Sequence, residues 1–288
     1  MTGIIGKLVC LLVVAYWIAS SKPVQAWGAL GHEIICEIAF QELGKEARTE
    51  VKRLIKLDPT FATFSRSCIW PDHPRKRAKE HYVNVARSST EFGTAICPKA
   101  SKCVLLAIGT DVAVLSDKSA SDERRLASLK YLGHWVGDVH QPFHVSFKDD
   151  RGGNSIGERG GPCDGNLHAV WDTCMVKSRL RGKVREIAKR MVIGVTSEQR
   201  SAWTKNAPIM WAAESYQIVT KPSVGYWTWK ERSCWYDQDR QKYKKGQPQK
   251  SIVVNKAYIA LHGPIVEAQL TNAGVRLGAF LNQLLASD

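Results

Sequence analysis

The sequence has 288 residues, of which 44% are hydrophobic and 24% are charged, and its formal net charge is +14. A chain of this length buries a large hydrophobic core in one or two domains, which excludes the class of small proteins that lack such a core. The excess of lysine and arginine favours a polyanionic partner, either a phosphate polymer or an anionic membrane. The alternative is a soluble protein that happens to be basic.

The first 26 residues have the pattern of an export signal. Residues 4–19 form an apolar run that only Gly6 and Lys7 interrupt, and this run is too short to span a bilayer. The small residue Ala26, with Val24 two places before it, is typical of a cleavage site. The sequence therefore predicts a signal peptide over residues 1–26 and a secreted or periplasmic protein over residues 27–288. A retained amphipathic anchor is the alternative.

The rest of the chain is mostly helical in its apolar spacing. Apolar residues recur at helical intervals over residues 30–43, 46–57 and 122–139, and again from just after Pro264 to residue 285. Strand-like alternation is nearly absent. Residues 148–166 hold six glycines, and residues 225–250 mix aromatic with basic side chains, so both segments are predicted loops. The pattern predicts one mainly α domain, without repeats and without a transmembrane helix after residue 26.

Residues 27–288 contain seven cysteines, which an exported chain can oxidise. Six cysteines allow 15 pairings, and the sequence does not choose among them. Cys97 and Cys103 flank the short segment "PKASK", which predicts a local disulfide. Cys36 lies on the apolar side of the first predicted helix and is the predicted free thiol.

Histidines and aspartates recur at spacings that suit metal binding. His134 and Asp138 are four residues apart on one predicted helix, and His168 and Asp172 repeat this spacing, so each pair projects from one helical face. One such pair alone is also explained by a hydrogen bond on a helix surface. His144 lies between the two pairs. Imidazole and carboxylate without thiolate favour zinc over manganese or iron. The remaining candidate ligands are His32, Asp72 and His81.

Seven short motifs between Trp27 and Asn282 resemble, in order and spacing, those of the S1/P1 nucleases, which are zinc-dependent single-strand nucleases. The resemblance implies a mainly α, single-domain phospholipase C/P1 nuclease-like fold with a tri-zinc cleft, and it assigns residues 27–288 to the catalytic domain. The motifs are "WGALGH", "WPDHPR", "HYVN", "HWVGDVHQPFH", "DDRGGN", "NLHAVWD" and "AGVRLGAFLN".

The same resemblance implies three zinc ions per chain and a ligand set for each. The third site includes the carbonyl oxygen of Trp27 and its free amine, which only cleavage after Ala26 would create. An α-amino group has a pKa of about 8, so it can lose its proton and bind a metal through its lone pair at neutral pH. The implied sets are Asp72, His81, His134 and Asp138; His144, His168 and Asp172; and Trp27, His32 and Asp138.

The resemblance also implies roles in catalysis and substrate binding. Asp138 would bridge two metals, and Arg75 would neutralise charge on the phosphate in the transition state. Tyr82 corresponds to an aromatic residue on which a base stacks. Asn84 departs from the best-known fungal members, which carry Asp there to bond the base, and the alternative for Tyr82 and Asn84 is loop packing. Two further residues are expected to line the same pocket, Gly153 and Asn154.

The implied function is that of a secreted endonuclease. It would hydrolyse single-stranded DNA and RNA to 5′-phosphorylated products, with 3′-nucleotidase activity as an extension, and would act as a monomer without a stable protein partner or membrane. One alternative is a zinc-dependent phospholipase C, which uses Glu where this chain has Asp172 and lacks the long glycine-rich loop. The other alternative is a catalytically idle nucleic-acid-binding protein that keeps its metals for stability.

Overall fold

The computed structural model describes residues 27–87, 92, 97, 102–163, 165–226, 228–230, 233–235 and 251–286. The predicted signal peptide and residues 236–250 of the predicted aromatic and basic loop lie outside the described residues. Among the helices described, none is both long and apolar enough to cross a membrane.

Five α-helices form the first half of the described part of the fold. The last of them, α5, begins after Ser121, whose side chain accepts a hydrogen bond from the Arg124 amide, and it ends shortly before Pro142. Its predicted core residues Leu129 and Val136 are completely buried. The five are α1 (Gly28–Glu42), α2 (Lys45–Ile55), α3 (Phe64–Ser67), α4 (Val104–Ser116) and α5 (Asp122–Val139).

Six α-helices form the second half of the fold, within the residues that the structure describes. The first two are joined by a π-helical turn, Val170–Cys174, so that residues 167–179 are helical throughout. The final helix begins after Asn255, whose side chain accepts a hydrogen bond from the Tyr258 amide. The six are α6 (Leu167–Ala169), α7 (Met175–Arg179), α8 (Val184–Val192), α9 (Ser197–Thr204), α10 (Pro208–Val219) and α11 (Lys256–Leu285).

Short strands occur in both segments that the sequence predicts to be loops, and these two predictions were incomplete. β1 (Gly157–Arg159) pairs in parallel with β4 (Ser251–Val253). β2 (Thr228–Lys230) and β3 (Ser233–Trp235) form an antiparallel pair. Each strand has three residues, too few for a two-residue period to show in the sequence.

The long helix α11 starts earlier than the sequence predicts. The prediction places its first turn after Pro264, but the helix begins at Lys256 and contains this proline. A proline inside a helix removes one backbone hydrogen bond without always ending the helix. α11 packs closely on α1 because Gly274 lies against Ile38, where a Cβ atom on the glycine would be 2.5 Å from the Ile38 Cβ. A single hydrophobic cluster extends from Trp27 to Leu285, which confirms a mainly helical single domain.

Three disulfides tie the helices and loops together: Cys36–Cys68, Cys97–Cys103 and Cys163–Cys174. The predicted local bridge is confirmed. The prediction that Cys36 is a free thiol was wrong, because packing of α1 against α3 brings Cys68 to it across 32 residues of sequence. Disulfides are typical of oxidising compartments and indicate an extracellular or secretory protein.

Candidate metal centre

Helix α5 carries two buried ligand candidates on one face. His134 and Asp138 are both fully buried, one turn apart. One carboxylate oxygen of Asp138, Oδ2, lies 3.3 Å from His81 Nδ1 and 3.5 Å from His134 Nε2. The other, Oδ1, lies 3.4 Å from His32 Nε2. The carboxylate therefore faces two sets of imidazoles, with one oxygen directed at each.

The first group consists of Asp72, His81 and His134, whose candidate ligand atoms all lie within 4.8 Å of one another. His134 donates its Nδ1 proton to the Cys68 carbonyl at 2.8 Å, and His81 donates its Nε2 proton to the Lys76 carbonyl at 2.8 Å. A neutral imidazole has one proton, so His134 Nε2 and His81 Nδ1 both carry lone pairs. These two nitrogens are 3.1 Å apart. Two acceptors in contact require a cation between them.

Burial opposes charge throughout this region. It raises the pKa of Asp138 to about 7 and that of Asp72 to about 6. It also lowers the pKa of His81, to about 4, and that of His134, well below its ordinary value. The rings are therefore neutral at pH 7, while the carboxylates lack a sufficient counter-charge. A divalent cation supplies that charge and uses the imidazole lone pairs, so these residues fit a metal.

The second group consists of His144, His168 and Asp172. His144 donates its Nδ1 proton to the His81 carbonyl at 2.6 Å, and His168 donates its Nδ1 proton to the Gly152 carbonyl at 2.6 Å. Both rings are thus left with Nε2 as an acceptor. His168 Nε2 lies 3.1 Å from Asp172 Oδ2, which makes no hydrogen bond within the described part of the chain. Backbone carbonyls therefore orient both imidazoles for a metal.

The third group combines His32 with His134 and Asp138. The His32 ring stacks on the His134 ring, with centroids 3.8 Å apart and planes 12° from parallel. Both ring nitrogens of His32 are buried and make no hydrogen bond within the described residues. A fully buried imidazole without such a partner is costly, so this ring also fits a metal.

Trp27 lies fully buried at the start of α1, five residues before His32. Its indole Nε1 donates a hydrogen bond to the Gly137 carbonyl at 2.8 Å, which fixes it beside the residue that precedes Asp138. Its carbonyl accepts a hydrogen bond from the Gly31 amide at 3.1 Å. The structure therefore places residue 27 next to the third group.

The predicted substrate residues lie around these groups. Arg75 is partly buried, and burial together with the positive charge of Arg75 lowers the pKa of His81. Tyr82 is 37% exposed. Asn84 is partly buried, and its side-chain carbonyl accepts a hydrogen bond from the Ser146 amide at 3.2 Å. In the glycine-rich loop, the Gly153 amide donates to Asp150 Oδ1 at 2.9 Å and Asn154 Nδ2 donates to the Arg151 carbonyl at 2.7 Å.

Sequence reasoning missed several groups that hold the candidate ligands in place. Gln141 donates its side-chain amide proton to Asp172 Oδ1, and Gly152 supplies the carbonyl that orients His168. Asp150 is fully buried and accepts hydrogen bonds from Arg87 and Tyr226, which secures the loop that contains Gly152. The motifs "HQPFH" and "DDRGGN" include Gln141, Asp150 and Gly152, but a backbone acceptor has no side-chain signature.

Gly152→Ala is expected to lower the free energy of unfolding by about 3 kcal/mol. Gly152 has a φ of 62°, and a Cβ atom there would collide with the Phe143 carbonyl oxygen and lie 3.5 Å from His168 Nδ1. Gly160→Ala is the matched control, because Gly160 has a φ of 76° and its nearest neighbour would be at an ordinary 3.5 Å. The control should lose about 1 kcal/mol. Equal losses in urea unfolding of the metal-free proteins would contradict the close fit at Gly152.

A helical domain with three buried histidine and aspartate groups has the architecture of a metal-dependent hydrolase. The sequence matches the S1/P1 Nuclease family over residues 27–286, and the chain belongs to this family. The predicted family and enzyme class are confirmed.

Three curated relatives illustrate the likeness. Endonuclease 2 of Arabidopsis thaliana is 28% identical over 306 residues, which cover 97% of this chain and 98% of the relative. Endonuclease 4 of Arabidopsis thaliana is 28% identical over 91% of this chain and 90% of the relative. Nuclease S1 of Aspergillus oryzae is 25% identical over 96% of this chain and 98% of the relative. The similarity to nucleases thus extends over nearly the whole chain.

Proposed function

We infer that this protein is a secreted or periplasmic zinc-dependent endonuclease. It would be made with a signal peptide over residues 1–26 and act as residues 27–288, as a monomer without a stable protein partner. It would hydrolyse phosphodiester bonds of single-stranded DNA and RNA to 5′-phosphorylated products and remove 3′-phosphates from nucleotides. The observation that carries the proposal is the junction at Asp138, whose two oxygens face separate sets of buried imidazoles.

Zinc is the metal that suits this donor set. The described donors are imidazole nitrogens and carboxylate oxygens, while the six cysteines of the described disulfides are not available as thiolates. We assign one zinc to Asp72, His81, His134 and Asp138. A second belongs to His144, His168 and Asp172, and a third to Trp27, His32 and Asp138.

The third zinc needs the chain terminus because His134 is already committed. Its Nδ1 proton is held by the Cys68 carbonyl, so its single lone pair, on Nε2, serves the group that also contains His81. That leaves His32 and Asp138 with too few partners for a four-coordinate ion. The amine of Trp27, released by cleavage after Ala26, supplies the missing donor. Its carbonyl already bonds the Gly31 amide, but a carbonyl oxygen has a second lone pair.

When bound, zinc supplies Lewis-acid stabilisation of the phosphate and activates water for attack at neutral pH. Buried aromatic side chains surround the metal groups. Trp135, Phe143 and Trp171 are all fully buried, and the Trp135 ring is nearly perpendicular to the His81 ring, with centroids 4.8 Å apart. Backbone carbonyls keep the protons of His81, His134, His144 and His168 on the nitrogens that face away from the metals.

Substrate recognition falls to residues that border the metal groups. Arg75 carries a positive charge near His81, where it can neutralise a phosphate in the transition state. The exposed ring of Tyr82 follows His81 directly and offers a stacking surface that accepts any base. Asn84 would contact the edge of that base through its amide nitrogen, and Gly153 and Asn154 would close the same pocket.

The activity is tested with purified protein that begins at Trp27. Single-stranded DNA, RNA, duplex DNA, a 3′-nucleotide and lecithin are each incubated with the enzyme, with a chelator and with zinc restored. We expect zinc-dependent cleavage of the single strands, 5′-phosphate ends and release of phosphate from the 3′-nucleotide. Turnover of lecithin without cleavage of nucleic acid would instead establish a phospholipase C, and zinc binding without any turnover would establish an idle binding protein.

Asn84→Asp is expected to shift preference among bases while changing total turnover by less than about threefold. Its oxygen already accepts the Ser146 amide proton, so a carboxylate keeps that bond and changes only the group presented to the base. Rates on the four homopolymers measure the shift. The matched control is Asn255→Asp, because the Asn255 side-chain carbonyl accepts the Tyr258 amide proton in the same way, at 2.9 Å, at the start of α11 and outside the metal groups. Unchanged ratios in the Asn84 variant would remove this residue from the pocket.

A further inference from the structure

A strongly basic segment begins immediately beyond the second metal group. Residues 177–190, "KSRLRGKVREIAKR", hold seven lysines and arginines and a single acid, Glu186. All seven basic side chains are exposed. The segment is firmly attached to the fold, because Leu180, Ile187 and Ala188 are buried in the core. We call this surface the basic strip.

The positive charge of the basic strip is largely unneutralised. Arg179 pairs with Glu267 at 2.5 Å, but the other six cations of the strip have no carboxylate partner among the described residues. Elsewhere, arginines such as Arg53, Arg200 and Arg276 each pair with an acidic side chain. Helix α2, another basic surface, has Glu46 and Glu50 among its lysines and arginines, whereas the strip has only Glu186.

The strip is connected to the second metal group by one continuous helical segment. The helical segment 167–179 contains His168 and Asp172, and its last turn is the beginning of the strip. Lys177 follows Asp172 by five residues, about 8 Å along a helix axis, which is about one Debye length at physiological salt. Further along the strip, the Arg185 carbonyl accepts a hydrogen bond from Gln41 Nε2 near the end of α1 at 3.3 Å. The strip therefore extends outward from the second group along the protein surface.

We propose that the basic strip is an accessory binding surface for single-stranded polynucleotides, which contacts backbone phosphates outside the cleft. This proposal rests on the nuclease function proposed above. A row of exposed cations binds phosphates without regard to sequence and releases counterions, so binding weakens as salt increases. The surface would favour long strands over dinucleotides, because only long strands reach both the metals and the strip.

The test compares two variants of equal charge change in the protein that begins at Trp27. The strip variant is Lys183→Glu, Arg185→Glu and Lys189→Glu, and the control on α2 is Lys45→Glu, Lys52→Glu and Lys56→Glu. All six residues are exposed and none belongs to the metal groups. Circular dichroism and thermal melting confirm that both variants fold.

Binding and hydrolysis are measured separately. Fluorescence anisotropy reports binding of a strand of about 60 nucleotides to the chelator-treated proteins, so this readout does not depend on hydrolysis. We expect the strip variant to bind about tenfold more weakly at low salt, with a salt slope smaller by about 2. With zinc present, its KM for the long strand should increase similarly, while kcat/KM on a dinucleotide stays within about twofold.

Three results would overturn the proposal: equal effects in the control variant, equal loss on the dinucleotide, or unchanged binding of the long strand. The same proteins are also mixed with vesicles that contain phosphatidylserine. If the strip variant loses vesicle binding while it keeps strand binding, the strip is a membrane surface and the proposal is wrong. If the unmodified protein binds the strand through the strip but hydrolyses nothing, the nuclease function fails while the strip stands.

Discussion

Asp138→Asn is expected to abolish hydrolysis of single-stranded DNA, by about a thousandfold or more, while the helical fold persists. One carboxylate faces His32 with Oδ1 and both His81 and His134 with Oδ2. An amide is neutral and offers only one acceptor oxygen, so it cannot serve two metals as an anion. Hydrolysis rate, zinc content and circular dichroism are measured together.

The stability of this variant separates a metal ligand from a structural residue. Because burial raises the pKa of Asp138 to about 7, a neutral amide at this position should not destabilise the metal-free protein. Zinc should raise the melting temperature of the unmodified protein far more than that of the variant, since only bound metal adds stability. Asp122→Asn, an exposed carboxylate at the start of the same helix, is the control. Retention of three zinc ions and near-normal turnover in the Asp138 variant would contradict its bridging role.

A single extra residue before Trp27 is expected to reduce activity by about a hundredfold or more. Extension converts the terminal amine into an amide nitrogen, which is not basic and does not bind a metal at neutral pH. His32 and Asp138 would then lack a ligand that no nearby side chain replaces, because the His134 lone pair faces His81. The rest of the protein should be unaffected, since the Trp27 indole keeps its bond to the Gly137 carbonyl.

The comparison uses a protein released at Trp27 by a scarless protease and one that retains Ala26. Zinc content and single-strand cleavage are measured for both, and circular dichroism verifies the fold. The extended protein should hold two zinc ions and the released protein three. Equal zinc content with equal rates would show that the terminus is not a ligand and that Trp27 is an ordinary core residue.

The candidate metal-binding side chains could be identified from the sequence, whereas the groups that orient them could not. The four-residue spacing of His134 and Asp138 predicts a shared helical face, and α5 places them on one. Asp172 lies in a π-helical turn, yet it still reaches His168. By contrast, the carbonyls of Cys68 and Gly152 act through the backbone, and any residue type has such a group. Their role depends on tertiary packing alone.

In the fold, too, features set by neighbouring residues could be predicted, whereas features set by tertiary packing could not. Helix α5 has a capping serine and a following proline, so its ends could be predicted. The buried face of helix α4 could not be predicted from spacing, because the segment "VLLAIGTDVAVLS" is apolar on nearly every side. The Cys36–Cys68 disulfide joins two helices across 32 residues, and no local pattern indicates it.

The most direct test of a trinuclear centre is a zinc titration of chelator-treated protein that begins at Trp27. Metal binding and cleavage of single-stranded DNA are both measured at each step of the titration. The described residues form three candidate metal groups. We therefore expect three zinc ions to bind each chain and cleavage to return only as the groups fill. Full cleavage by the metal-free protein, or complete recovery with a single zinc ion per chain, would contradict a trinuclear centre joined through Asp138.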